Sequence, residues 1–431
     1  MENALIAFAV VLALIFARVP LVFAMSATGF AGLALELGTR PALAAISNTV
    51  IEAGMSYSLS VLPLFVLMGN FATRARLSEE LYAASYAFIG HWRGGLASAT
   101  VVACGGFGAI CGSSIATAAT MAKVAMPSMR RFGYSDSLAT GAIAAGGTLG
   151  ILIPPSVIMI IYGILTETSI GALFAAGLLP GVLALACYLA AVRLSTMIDP
   201  KAGPPGPRMN WADRLKTLRS VWGVLLLFAI VMGGMYGGVF TPTEAAGIGA
   251  GGAFLFALAR RALSFRIAVD VLVESARTTT MMFAILIGAL MFATYINYTG
   301  MPEALQHMVK QAGTAPLTVL LAIIGIYLIL GCVLESISMV LLTVPVFFPL
   351  VTNLGYDPIW FGILVVCVVE ISLITPPVGL NVYVLNSVLP DVSLRTIFRG
   401  VVPFVLGDIV RLAVLIAFPA VTLFLPNLLF K

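Results

Sequence analysis

Residues 146–158 read GGTLGILIPPSVI and residues 369–383 read VEISLITPPVGLNVY. Each stretch sets two adjacent prolines, with glycine close by, in the middle of an apolar run. Proline removes a backbone donor and clashes with the preceding turn, so a Pro-Pro pair unwinds a helix locally. A lone proline would read as a kink that neighbouring helices satisfy. These two pairs recur in register. Gly133-Tyr134 stands before Pro154-Pro155 at the spacing that separates Gly355-Tyr356 from Pro376-Pro377, a constant offset of 222 residues. The same offset relates Pro127 to Pro349 and Ser114-Ile115 to Ser336-Ile337; AGLLP at 176–180 matches RGVVP at 399–403 after a one-residue gap. The chain therefore carries an internal repeat, and the breaks are its landmarks.

Around these landmarks the chain reads as an all-α, polytopic membrane protein. Of 431 residues, 61% are hydrophobic and 10% charged, too few charges to clothe a soluble protein. Apolar segments fall near 4–17, 20–37, 47–72, 96–128, 138–166, 173–197, 221–239, 244–259, 278–298, 316–350, 359–389 and 401–426, many of them long enough to span a bilayer. Alternating strand patterns are missing, which argues against an outer-membrane barrel. Glu2 stands where a signal peptide would carry basic residues, so the first helix is expected to be retained.

Segments 96–128 and 316–350 are too long for one crossing and contain Gly and Pro; each is either two crossings or a re-entrant hairpin. Charge decides. Arg74, Arg76, Arg93, Arg130, Arg131, the basic connection 198–220, Arg260, Arg261, Arg266, Arg277, Arg395 and Arg399 all fall on one side if both are hairpins. The loops near 166–172, 240–244 and 351–358 then hold no Lys or Arg. The basic side is cytoplasmic by the positive-inside rule, which places the N-terminus outside. Arg130-Arg131 precede Gly133, whereas no Lys or Arg occurs between Lys310 and Arg395. Equivalent loops lie on opposite sides, so the repeats are inverted. The expected organisation is scaffold helices over 1–72, a surface arm over 73–95, repeat 1 over 96–197, a cytoplasmic connection and scaffold helices over 198–277, a scaffold helix and second arm over 278–315, and repeat 2 over 316–426.

A half-helix ending at a break presents free carbonyls, which suit a hard cation; one starting there presents free amides and a positive dipole end, which suit a carboxylate. Thr148, Ser156, Thr375 and Asn381 supply side-chain oxygen beside the breaks, and the hairpin tips Gly112-Ser113-Ser114 and Glu335-Ser336 are expected to meet them. Small serines also serve helix packing, but these are matched by the repeat. Intramembrane Glu335 and Glu370 are expected either to face a polar cavity or to be held by hydrogen bonds. Arg411 has Asp408 three residues before it as a partner, and Lys123 is placed to snorkel from its hairpin. Five dispersed cysteines read as small buried hydrophobes, and two histidines do not suggest a metal centre. The net charge of +5 is a membrane-topology feature with no nucleic-acid partner implied, and no GxxxxGK[ST], HExxH or GxSxG motif supports ATP hydrolysis or an intramembrane hydrolase.

GYSDSLATGAIAAGGTLGILIPPS (133–156), TSIGALFAAGLLPG (168–181), FTPTEAA (240–246) and ITPPVGLNVY (374–383) together resemble the large membrane subunit of tripartite ATP-independent periplasmic (TRAP) transporters. The resemblance spans almost the whole chain. It implies a sodium-coupled symporter of the bacterial or archaeal cytoplasmic membrane, neither an enzyme nor a cofactor binder, of elevator type. It also implies a periplasmic binding protein that delivers an organic acid and a small four-helix membrane subunit, here expected as a separate polypeptide. Sodium is expected at Ser113, Ser114, Gly147, Thr148 and Gly150 in one repeat and at Ser336, Thr375, Pro377 and Gly379 in the other. Glu335, Ser156 and Asn381 are expected on the substrate side, with Glu335 and Asn381 bordering the ion site, and Pro154, Pro155, Pro376 and Pro377 as the breaks. The alternative is a self-sufficient organic-anion transporter of the same superfamily; a membrane scaffold without transport is the contrasting class. Pro-Thr-Glu in FTPTEAA also reads as a helix start capped by Thr241 or Thr243.

Overall fold

The structure, a computed structural model, describes residues 2–430, and among them every regular element is helical. The first group is α1 (Glu2–Phe16), α2 (Leu21–Leu37), α3 (Thr39–Met55) and α4 (Val61–Arg74), followed by the arm α5 (Leu77–Ile89). The apolar run 47–72 is thus a helix pair bent by 54°. Repeat 1 comprises α6 (Gly95–Cys111), α7 (Ser114–Arg131), α8 (Asp136–Leu152), α9 (Val157–Leu165) and α10 (Ile170–Ile198). Then come α11 (Trp211–Ser220), α12 (Trp222–Tyr236), α13 (Pro242–Ala259), α14 (Phe265–Tyr298) and a second arm, α15 (Met301–Gln311). Repeat 2 mirrors the first: α16 (Pro316–Gly331), α17 (Ser336–Asn353), α18 (Pro358–Ile374), α19 (Leu380–Val388) and α20 (Leu394–Ala417), after which α21 (Ala420–Leu429) closes the chain. Among the described residues, five helical stretches are long and apolar enough to cross a membrane, and seven if each of two bent pairs counts as one. The apolar segment 278–298 belongs to a 34-residue helix that starts at Phe265, and the basic connection 198–220 contains the short helix α11.

Segment 96–128 turns back on itself. The tip is Gly112, in the left-handed region at φ +63°, followed by Ser113, whose hydroxyl caps α7 by accepting from Ala116 N. The two open ends meet where the Tyr134 hydroxyl accepts a bond of 3.1 Å from Leu96 N. Segment 316–350 folds likewise around residues 332–335. Opposite faces collect the loops of the two repeats: Arg130 beyond hairpin 1 pairs with Asp136 and with Asp391 beyond α19, while the Tyr162 hydroxyl at the far end of α9 donates to Pro358 O at the start of α18. Thr241 caps α13 in a reciprocal box with Glu244, which settles the choice between Thr241 and Thr243.

The core is α8 and α18. Residues 138–152 and 360–374, two fifteen-residue runs at the repeat offset, are buried without interruption. Small residues let neighbours reach α8: a Cβ at Gly108 of α6 would lie 2.5 Å from Gly150 Cα, and Gly141 meets Gly400 of α20 backbone to backbone. Such contacts stabilise helix pairs where no hydrophobic effect separates protein from lipid. Gly400→Val therefore overpacks the crossing of α8 and α20 by placing a side chain on Ser137 O. We expect a loss of about 1–3 kcal/mol, read as a lower unfolding midpoint in detergent; an unchanged midpoint contradicts this packing.

Candidate functional site

A cavity of about 210 Å³ lies where both hairpin tips converge. Ser113 and Ser114 line it from the first tip and Glu335 and Ser336 from the second, with Ile151 and Val157 flanking Pro154-Pro155. Three helix N-termini, those of α7, α9 and α17, border this space. Each brings unpaired amides and a positive dipole end. Among the described residues, none of the lining side chains is Lys or Arg, and the charged ones are Glu335 and Glu274. The far wall comes from outside the repeats: Asn70 of α4 and Glu274 and Thr278 of α14. Asn70 donates to Ser275 Oγ at 2.8 Å, and Arg74 pairs with Glu274 at 3.5 Å on an exposed rim.

The other expected site residues lie behind the tips. Gly147 and Gly150 are the floor on which hairpin 1 rests: a Cβ at Gly147 would stand 3.2 Å from Ser114 O, and one at Gly150 3.2 Å from Thr117 Oγ1 and 3.4 Å from Ser113 O. Asn381, fully buried in α19, donates to Ser114 Oγ at 2.7 Å and to Ala144 O at 3.0 Å, so it joins repeat 2 to the first tip. Neither Asn381 nor Ser156 lines the cavity; Ser156 is buried, donates to Ile151 O and caps α9. The Thr148 hydroxyl turns away from the hairpin, toward Ala145 O and the Tyr188 hydroxyl. Thr375 bonds back to Ile371 O, and Gly379 takes φ +61° at the start of α19.

The two breaks are not equally covered. Pro154 and Pro155 are buried, whereas Pro376 and Pro377 are exposed, with Cys332 of the second tip 3.6 Å from Pro376 O. Gly105 and Gly108 allow α6 to close on α8, while the buried face of α16 carries Val319, Leu320, Ile323, Ile324 and Tyr327. Glu370 does not face the cavity: fully buried, it pairs with Arg411 at 2.7 Å, and Arg411 also pairs with Asp408 at 2.9 Å. Lys123 is exposed on α7, and Cys104 and Cys367 are buried while the other three cysteines are half-buried, all five free.

Two oxygens fit a hard cation. Thr117 Oγ1 and Asn381 Oδ1 are buried without a hydrogen-bond partner, a costly state that a sodium ion would relieve. Thr117 Oγ1 and the Ser113 carbonyl face the same side of Gly150, and the Asn381 side chain reaches the first tip at Ser114 Oγ. Among the described residues, no group of three His, Cys, Asp or Glu could hold a transition metal. Thr117 was legible as a hydroxyl one helical turn beyond Ser113, and Asn70 as a lone amide in an apolar run; both escape a reading keyed to prolines. Glu274 and Thr278 carry no comparable signal, because they flank an apolar segment rather than interrupt it.

Paired hairpins, paired broken helices and a cavity at their junction define a transporter architecture of two inverted repeats. The fold is similar to that of the solved YdaH transporter of Alcanivorax borkumensis, with a TM-score of 0.63, 15% identity, and coverage of 89% of this chain and 90% of that one. The chain belongs to the family described as the DctM component of the tripartite ATP-independent periplasmic transporters, whose model matches residues 8–421. It is 38% identical, over 88% of both chains, to the C4-dicarboxylate TRAP transporter large permease protein of Pseudomonas aeruginosa. It is 33% identical to the sialic acid TRAP large permease of Vibrio cholerae, over 97% of both chains, and 33% identical to the ectoine/5-hydroxyectoine TRAP large permease of Ruegeria pomeroyi, over 96% of both.

Proposed function

We propose that this chain imports an organic acid in symport with sodium across a bacterial inner membrane, with its N-terminus on the periplasmic side. A periplasmic binding protein delivers the acid, and a small four-helix membrane subunit completes the complex. The observation that carries the reading is the cavity where three helix N-termini meet without Lys or Arg among the described lining residues. Helix ends attract a carboxylate, while Glu335 repels it and Glu274 is paired with Arg74. Sodium bound behind the tips offsets that repulsion, so anion and cation are held together. Ser113, Ser114, Gly147, Gly150 and Thr117 would frame one ion and Ser336, Thr375, Pro377 and Gly379 the other, largely through backbone carbonyls. The cavity wall belongs to two groups of helices, the repeats and the α4–α14 scaffold. An elevator movement of residues 96–197 and 316–426 against 1–72 and 198–315 would carry the tips past that scaffold, with 73–95 as one of the connecting arms.

Reconstitution with the small subunit and binding protein tests this. Uptake of a carboxylate substrate should require an inward sodium gradient and the binding protein. Ser113→Ala and Ser336→Ala should each reduce it by about tenfold, the scale of a lost charge-assisted contact. Sodium-independent uptake sinks the symport reading. Full uptake by this chain alone points to a self-sufficient transporter, and variants that leave uptake untouched remove the two hydroxyls from ion binding.

A further inference from the structure

A buried polar chain runs from one broken helix to the other. Thr148 Oγ1 of α8 lies 3.0 Å from the Tyr188 hydroxyl of α10, which donates to Asp408 Oδ2 of α20 at 2.9 Å. Asp408 pairs with Arg411, and Arg411 with Glu370 of α18. All five residues are buried, and the three charged ones show no exposure at all. The chain follows the internal symmetry. Thr148 and Glu370 are related by the 222-residue offset, each four residues before its helix ends at the break. Tyr188 and Arg411 are related by 223, the offset that applies beyond the one-residue gap. Thus Thr148–Tyr188 in repeat 1 answers Glu370–Arg411 in repeat 2, and Asp408 joins the two half-chains.

Two polar pairs at symmetry-equivalent positions, each one turn behind a break, are not needed for packing. Apolar side chains of similar volume fill buried space at least as well as a buried ion pair. What the chain adds is a fixed relation between the ends of α8 and α18. A rotation of one half-helix at its break strains the hydrogen bonds and ion pairs that hold the other. We propose that Tyr188, Asp408 and Arg411 are positioning residues that couple the two sodium sites, so that an ion at one break pre-orders the carbonyls at the other. This rests on the sodium reading above.

The test is the sodium-activation curve of uptake in the reconstituted complex. Tyr188→Phe keeps the ring that stands edge-on to Phe404, 5.6 Å between centroids, and removes only the hydroxyl that bridges the half-chains. The wild-type curve should be sigmoidal. In Tyr188→Phe its Hill coefficient should fall toward about 1 and its half-saturating sodium concentration rise about fivefold, a coupling of ordinary allosteric size. Substrate KM at saturating sodium should stay near wild type. Asp408→Asn, which leaves the hydroxyl an acceptor without charge, should move both quantities the same way by less. It serves as the second reading if Tyr188→Phe does not reach the membrane. A folded variant with the wild-type sodium curve overturns the coupling, as does lower uptake with an unshifted curve. Wild-type uptake that ignores sodium overturns the symport reading instead.

Discussion

Arg411→Met should abolish recovery of folded protein. Its guanidinium is the partner of both Glu370 and Asp408, and none of the three side chains has any exposure. Removing it strands two carboxylates in the centre of the molecule. Deleting one member of a buried ion pair costs about 3–5 kcal/mol, and here two acids lose their partner together. A marginally stable fold does not absorb that loss. The measurement is the monodisperse yield and unfolding midpoint in detergent. Adding Glu370→Gln and Asp408→Asn to Arg411→Met removes the stranded charge and should recover a large part of both. A wild-type midpoint in the single variant would show that the cluster is not what holds α18 to α20.

Asn381→Leu should instead spare the fold and cut transport. The side chain keeps its approximate size in a buried position, so the packing of α19 survives. What disappears is the amide that binds Ser114 Oγ and Ala144 O. Two buried hydrogen bonds at about 0.5–1.5 kcal/mol each correspond to a change of about fivefold to 150-fold in the population of the ordered tip. Uptake should fall by that factor at unchanged expression and chromatographic profile. Normal uptake would mean that the tip orders without its bridge to repeat 2.

The fold was legible because its decisive signals are local and duplicated. Pro154-Pro155 and Pro376-Pro377 mark breaks wherever the chain places them, and Gly112 announces a turn by its freedom to take positive φ. The basic loops fixed the choice of hairpins over extra crossings before any contact was known. Where side chains point is not local information. Thr148 and Ser156 stand beside a break in sequence, yet one turns to Tyr188 of α10 and the other bonds back to Ile151 O at the end of α8. Glu370 read as a carboxylate with two possible surroundings; Arg411, forty-one residues later, decides between them. Asn70 and Thr278 border the cavity only because α4 and α14 pack there, and no motif connects them to the prolines.

The bordering of the cavity by helix ends has an evolutionary consequence. An attraction that resides in main-chain amides and aligned peptide dipoles survives most side-chain changes, proline excepted. On the proposed reading, side chains around it, such as Asn70, Thr278 and Met282, are free to drift without erasing affinity for a carboxylate cargo. A lineage built this way can exchange one solute for another by small steps, each intermediate still competent. The receptor is written into the course of the backbone, and the selectivity is written over it.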